Sequence, residues 1–228
     1  MTGQGLRRRH DGKRALVVRG GWEGHVPVPA SDRYAQVLGE SGFEVTLSDS
    51  LDSYLDEAQL AATDLVVQCW TMGTMSSRQA DGLSRAVRSG TGFAGWHGGI
   101  IDAFRGEPLY SLVTGGQFVY HPRGFVTYQV RLVADRAEHP VLAGVEAFTI
   151  TTEQYYVQVD PGIDVLAVTD FVADPAYPDL AGVVMPVTWT RRWGRGRVFV
   201  TTIGHSVSDL EVPQVDAMIR AGMAWAAR

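Results

Sequence analysis

The sequence predicts an α/β fold with a mainly parallel sheet, helices on both faces of it, and a strand-rich second half. Three observations carry this. From residue 14 to about residue 114, short apolar runs alternate with helix-like segments across short, glycine-containing connections. That alternation is what a βαβ chain produces. The runs Arg14–Arg19 (RALVVR) and Asp64–Cys69 (DLVVQC) have continuous apolar centres, as strands covered on both faces do. Beyond residue 114 the pattern changes to polar–apolar alternation, the mark of half-buried strands.

Residues 1–13 are polar and carry three glycines, which predicts a mobile tail that includes His10. Arg14–Arg19 reads as the first strand and ends at Gly20-Gly21. Ser31–Ser41 has Tyr34, Val37 and Leu38 at helical spacing and stops at Gly42, a good residue to follow a helix. Phe43–Leu47 is a second strand, Tyr54–Ala62 a short helix and Asp64–Cys69 a third strand. Ser76 with Gln79 fits a capping box that opens a helix to about Arg88. Gly92–Trp96 is a fourth strand, followed by His97-Gly98-Gly99 and an apolar helix from Ile100. Phe125–Val133, Phe148–Val157 and Val165–Phe171 alternate. Trp189–Trp193 and Arg197–Ile203 flank Gly194-Arg195-Gly196, a hairpin turn. Pro213 sits in the first turn of a closing helix. With no linker and no repeat, residues 14–228 are expected to form one domain.

Composition excludes several function classes. The 228 residues are 45% hydrophobic and 20% charged, which is globular. A net charge of −5 argues against a nucleic-acid partner, because phosphate-backbone binders carry a clustered basic excess. No apolar run is long enough for a membrane span. Met1–Arg14 has basic residues without an apolar stretch after them, so it does not read as a secretory signal. The single cysteine, Cys69, fits a reducing compartment, and a cytoplasmic location is expected. Self-association is open, with a homo-oligomer kept as an expectation.

Ligands of open α/β sheets bind outside the carboxyl ends of the parallel strands. Here those ends are followed by Gly20-Gly-Trp-Glu-Gly-His25, Trp70-Thr-Met-Gly73, His97-Gly98-Gly99 and Gly204-His205. Three histidines, His25, His97 and His205, therefore fall in one layer, each with glycine beside it. Gly95-Trp-His-Gly-Gly99 resembles the elbow that presents a nucleophile, with His97 in the nucleophile's place. The amides of Gly98 and Gly99 at a helix start could bind an anionic oxygen. His121-Pro122 after a Gly-Gly loop has a fixed direction and is a candidate for substrate contact, whereas His139 in a polar turn is read as structural. Glu153 and Tyr155, two apart on an expected strand, would face one side, and Glu153 could serve as ligand or general base. Trp22, Trp70 and Trp96 at strand ends could stack on sugar rings. No local metal motif exists, so a metal site has to be assembled from His25, His97 and His205, with Glu153 as a further candidate. Imidazole with carboxylate suits Zn²⁺ or Mn²⁺. Neither a P-loop nor a glycine-rich dinucleotide loop is present, so no nucleotide cofactor is expected. Cys69 reads as a packing residue.

Several motifs then line up in order: Gly-Trp-His-Gly-Gly, Gly-Gly-Gln-Phe-Val-Tyr-His-Pro, Glu-His-Pro-Val-Leu-Ala-Gly-Val, Thr-Glu-Gln-Tyr-Tyr, the Trp189–Val200 hairpin and the late Gly-His. Together they resemble the ThuA-like, or trehalose-utilisation, family from about residue 14 to the end. The resemblance implies a flavodoxin-like three-layer fold, similar to class I glutamine amidotransferases but without their nucleophilic cysteine. It also implies a role in sugar catabolism, acting on 3-keto disaccharides or glycosides. Thr152 departs from the family, where an acidic residue commonly precedes the glutamate.

Two functions follow. One is an enzyme acting on a keto-sugar, with His97 or Glu153 as base and a metal on His25, His97 and His205, or the Gly98 and Gly99 amides, holding the developing oxyanion. His97 cannot be both ligand and base in one scheme. The other is a non-catalytic sugar-binding or regulatory domain. A thiol hydrolase is disfavoured because Cys69 does not stand at the elbow. In either case the partner is a small carbohydrate.

Overall fold

The computed structural model describes residues 12–228. The expected tail, His10 included, lies outside the described residues but for its last two positions. In chain order the elements are β1 (Arg14–Gly21), α1 (Pro27–Glu40), β2 (Glu44–Ser48), α2 (Glu57–Ala62), β3 (Leu65–Thr71), α3 (Ser77–Arg88), β4 (Gly92–Trp96) and α4 (Gly98–Ile101). There follow α5 (Pro108–Thr114), β5 (Gly116–Tyr120), β6 (Val126–Leu132), β7 (Phe148–Thr152) and β8 (Tyr156–Val159). The chain closes with β9 (Asp164–Asp170), β10 (Val184–Trp193), β11 (Gly196–Thr201), α6 (Val207–Leu210) and α7 (Pro213–Ala226).

Nine strands form one sheet in the order β2-β1-β3-β4-β11-β10-β9-β6-β7, and β5 pairs with β8 apart from it. The pairs β2–β1, β1–β3, β3–β4 and β4–β11 are parallel. From β11 outward every pair is antiparallel: β11–β10, β10–β9, β9–β6 and β6–β7. The mainly parallel expectation is therefore corrected: the sheet is mixed, parallel up to β11 and antiparallel beyond it. The reason is covalent. A parallel neighbour needs a crossover of a dozen or more residues, and only Gly194 and Arg195 join β10 to β11, where the direction changes.

The parallel strands are covered on both faces. Along β1, Ala15 and Val17 point into a core with Tyr34 and Leu38 of α1 and Met218, Ile219 and Met223 of α7. Leu16 and Val18 point into the opposite core with Leu83 and Val87 of α3 and Tyr110 and Val113 of α5. At the antiparallel edge, Tyr128, Val130, Phe148 and Ile150 are buried while Thr127, Gln129, Thr149 and Thr151 are exposed, so β6 and β7 are wet on one side.

Two boundaries differ from expectation. Helix α1 opens four residues before Ser31, at Pro27, whose missing N–H costs nothing in the first turn. The expected strand Phe148–Val157 breaks at Glu153–Tyr155. There the alternation ends because Thr152, Glu153, Gln154 and Tyr155 are all buried. Gln154 Nε2 donates to Thr169 Oγ1 at 3.0 Å and its Oε1 accepts from the Val172 amide at 2.9 Å, which pulls the chain off the sheet edge. The capping box at Ser76 and Gln79 is present.

Candidate functional site

The strand order β2-β1-β3-β4-β11 switches direction between β1 and β3, and such a switch opens a crevice at the carboxyl ends of the strands. His25 follows β1, His97 follows β4 and His205 follows β11. Their rings meet there, with centroids 4.6 Å apart for His25–His97, 5.0 Å for His25–His205 and 5.6 Å for His97–His205.

His97 holds its place through backbone and ring together. The turn from β4 into α4 gives it φ 48° and ψ −144°, a left-handed conformation unusual for a residue with a side chain. Its amide donates to the Thr201 carbonyl at 2.7 Å, extending the β4–β11 ladder by one residue. Its Nδ1 lies 2.7 Å from the Thr202 carbonyl oxygen. A carbonyl only accepts, so Nδ1 carries the proton and Nε2 carries the lone pair. Val26, Met72 and Phe104 share the left-handed backbone with His97, at φ 43°, 60° and 48°, and all of them lie in segments that follow β1, β3 and α4. Strain of this kind concentrates where surrounding structure holds a site in shape.

Glu153 completes the cluster. Its Oε2 lies 3.2 Å from His97 Nε2, 3.3 Å from His205 Nδ1 and 3.7 Å from His25 Nε2. One nitrogen from each ring and one carboxylate oxygen lie within 4.8 Å of one another. Burial pushes the His97 imidazole down to about 4, against the opposing pull of Glu153, so the ring is neutral at pH 7. Burial alone would raise the Glu153 carboxyl, but the closely set His205, His25 and His97 rings outweigh it and hold the group below the usual carboxylate range. The Glu153 contact raises His205 despite burial. A neutral His97 lone pair thus faces an ionised carboxylate oxygen at 3.2 Å, two acceptors side by side. His205 Nδ1 is buried and has no hydrogen bond. Three nitrogens and one oxygen around one point, with an orphaned donor atom among them, fit a divalent transition ion such as Zn²⁺ or Mn²⁺.

Neighbouring groups orient the cluster. Thr71 Oγ1, at the end of β3, sits 3.0 Å from His25 Nδ1. Tyr155 stacks on His97 with centroids 4.1 Å apart. Thr152 Oγ1 donates to Asp209 Oδ2 at 2.7 Å, so a carboxylate does stand beside Thr152, brought in from α6. Asp102 is buried, which raises its carboxyl against the lowering effect of Arg105; Arg105 Nε donates to it at 2.6 Å.

The expected contact residues separate into two groups. Trp22 is 47% exposed and lies edge-on to His25 at 4.8 Å, on the rim. His121 is also at the rim, its Nε2 3.7 Å from Glu153 Oε1. The other group is buried. Trp96 is 1% exposed and packs on Tyr34 in the core, so its expected sugar contact is withdrawn: the alternation of β4 turns it away from the cleft. Tyr155 is 2% exposed and supports His97 from beneath. Gly98 and Gly99 are buried too. A Cβ on Gly98 would lie 2.3 Å from His25 Nδ1, and one on Gly99 would lie 2.9 Å from the Cys69 Cα. These glycines let His25 and β3 close in. Trp70 is half-buried, seated over Gly20 and near Phe104 at 6.5 Å. His139 accepts from the Val141 amide at 3.2 Å and packs on Trp225, as a structural residue should. Cys69 is buried, which pushes its thiol up to about 12.

Sequence reasoning missed Thr71, Thr202 and Phe125. Phe125 is exposed and lies edge-on to His205 at 5.1 Å. Its place after Arg123-Gly124 marks it only as the start of a strand; Thr71 and Thr202 act through an end-of-strand hydroxyl and a backbone carbonyl, for which no sequence signal exists.

The model of the trehalose-utilisation (ThuA) family matches residues 14–226, and the chain belongs to that family. The fold is similar to a ThuA-like protein from Bacteroides uniformis, with a TM-score of 0.75 at 15% identity, covering 98% of this chain and 94% of that one. It is equally similar to a ThuA-like protein from Parabacteroides merdae, with a TM-score of 0.75 at 17% identity over 94% of this chain and 89% of that one. A cytoplasmic protein from Salmonella typhimurium matches with a TM-score of 0.65 at 12% identity over 95% of this chain and 100% of that one. No curated protein sequence matches. Among the described residues, no helix is long and apolar enough to cross a membrane.

Proposed function

We propose that this chain is a metal-dependent enzyme of sugar catabolism that cleaves a keto-glycoside by elimination in the cytoplasm. The observation that carries the reading is the convergence of His25, His97, His205 and Glu153 on one point within 4.8 Å, with the His97 lone pair aimed into it. The family's description, trehalose utilisation, supports a sugar as the substrate.

His25, His97, His205 and Glu153 would hold a Zn²⁺ or Mn²⁺, which would supply Lewis-acid polarisation of a ketone oxygen. The residues do the rest. His97 and Glu153 face one another across the cluster at 3.2 Å and serve as ligands and not as the base. The base is His121. Its Nδ1 lies 2.7 Å from the Pro122 carbonyl and so carries the proton, which leaves Nε2 with a lone pair toward the cleft. His121 takes the proton from the carbon beside the ketone. The electron pair of that C–H bond forms the new double bond, and the bond from the anomeric carbon to the glycosidic oxygen breaks. The same proton passes from His121 to the departing oxygen, so the products are an unsaturated keto-sugar and a free alcohol, with no redox partner needed. Trp22 and Phe125 present ring faces to the sugar at the rim.

The test is a product assay on a 3-keto glycoside with wild type, metal-stripped wild type and His121→Asn. We expect turnover that is lost on stripping and restored by Mn²⁺ or Zn²⁺. His121→Asn should keep its metal and lose roughly 10²–10⁴-fold in rate, the usual contribution of a positioned acid–base group. Wild type that holds metal and turns over no keto-glycoside would favour a sugar-binding domain. Stripped protein at full rate would overturn the metal role.

A further inference from the structure

Beside the cleft, and outside the histidine cluster, lies a cavity of about 410 Å³ walled by Tyr120, Pro122, Arg123 and Asp174. Its volume is in the range of small-ligand sites, about 300–1,000 Å³. Its wall is built rather than incidental. Tyr120 Oη donates to Asp174 Oδ2 at 2.6 Å, and Asp174 Oδ1 accepts from the Ala176 amide at 2.8 Å, so the loop after β9 is tied to the end of β5. The Tyr120 oxygen, having donated, can still accept from a ligand hydroxyl. Tyr177, next to the lining residue Ala176 and 53% exposed, packs at right angles on Tyr120 with ring centroids 4.7 Å apart. Arg123 is exposed and has no hydrogen bond or ion pair among the described residues, which leaves its five donors to a ligand.

We propose that this cavity seats the second ring of a two-ring glycoside whose reacting ring lies over the histidine–glutamate cluster. The inference rests on the reading of that cluster as the reacting centre. Connectivity carries it: Tyr120 and Pro122 form the wall, and His121 between them reaches Glu153. A ligand spanning cluster and cavity passes His121 at the junction of its rings, where the glycosidic oxygen is. The chemistry agrees. One cation, one anion and a phenol, beside two aromatic rings, suit a neutral polyol better than a phosphorylated or carboxylated sugar, which would meet the Asp174 charge. The partner ring is the leaving group, so specificity for a disaccharide over a simple alkyl glycoside is set here.

The experiment measures the affinity of the whole chain for trehalose and for methyl α-glucoside by titration, in wild type, Arg123→Ala and Tyr177→Ala. Both substitutions are at exposed loop positions. Metal content is recorded on the same samples, and turnover of the 3-keto forms of both sugars is followed in parallel. Wild type is expected to prefer the disaccharide, and each variant to lower that preference about tenfold, the effect of one good hydrogen bond or ring contact. Wild type that shows no preference, or that binds neither sugar, overturns the proposal. A preference that survives in both variants overturns it as well. A preference that falls in the variants, in protein that turns over neither keto form, upholds the second-ring site and removes the elimination reading instead.

Discussion

The two halves of the sheet answer different physical demands. The parallel half, β2-β1-β3-β4-β11, is closed by helices on both faces, and its histidines are fixed by the ends of rigid, buried strands. The antiparallel half, β10-β9-β6-β7, keeps one wet face at its edge and is bordered by loops. It contributes the acidic and adjustable parts: Glu153 comes from the break after β7, and Asp174 comes from the loop after β9. His121 comes from the segment after β5, in the small separate sheet. The comparison teaches that the three imidazoles are placed by strand ends, whereas Glu153, His121 and Asp174 come from irregular segments tied by local hydrogen bonds. A parallel sheet gives precise strand ends, and irregular connections carry variable function.

That division can be broken from either side. The largest effect is expected in the parallel half, from Gly98→Ala. Its Cβ would press on His25 Nδ1 at 2.3 Å, and both His25 and the adjoining Thr71 are buried. Overpacking of this kind costs about 1–3 kcal/mol, and loss of one aligned ligand should weaken metal affinity at least about tenfold. Thermal unfolding and metal titration on the same sample check both. A variant with native stability and native affinity would show that His25 is not held by that contact.

The middle effect lies where the halves meet. Thr152→Val removes the 2.7 Å bond to Asp209 and leaves a buried carboxylate short of a donor. Stability should fall by about 1–3 kcal/mol. Because Asp209 also caps α6, just after His205, metal affinity should fall with it. If affinity holds while stability drops, α6 does not position His205.

The smallest effect is expected at Cys69, in the parallel half but turned into the core. Cys69→Ala should cost about 1 kcal/mol and leave turnover within a few fold, since burial keeps the thiol protonated up to about 12. Because folding raises the thiol pKa, the stability it contributes is fully present below the free thiol value of about 8.5 and is lost as pH rises above it. Thiol-reagent labelling of native protein at pH 8 should be slow. Rapid labelling with loss of activity would bring the thiol back as a candidate.

How much was legible in the sequence follows the same division. The parallel half was readable because doubly covered strands leave continuous apolar runs and helix caps leave local signatures; Ser76 with Gln79 is one. The shared layer of His25, His97 and His205 followed from strand ends alone, and the structure brings the three rings together. The sheet's change of direction at β11 was not readable, because alternation marks a strand without marking its partner. Trp96 was misread because a strand of five buried residues offers no period from which to tell cleft from core. Glu153 was found for its chemistry and misplaced on a strand, since the hydrogen bonds of Gln154 that break the strand join residues distant in sequence.

The account stands most directly on whether four residues from both halves hold one metal ion. Metal content per chain, measured by mass spectrometry on protein loaded with Mn²⁺ or Zn²⁺ and then desalted, decides it. Wild type and His139→Ala should each retain one ion, and His97→Ala, His205→Ala and Glu153→Gln should retain none or very little. Release on acidification should follow the imidazole range near about pH 6.5, with His205 the first to take a proton because its contact with Glu153 raises it and His97 the last because burial lowers it. Wild type that holds no ion, or a His97→Ala variant that holds as much as wild type, would contradict the account.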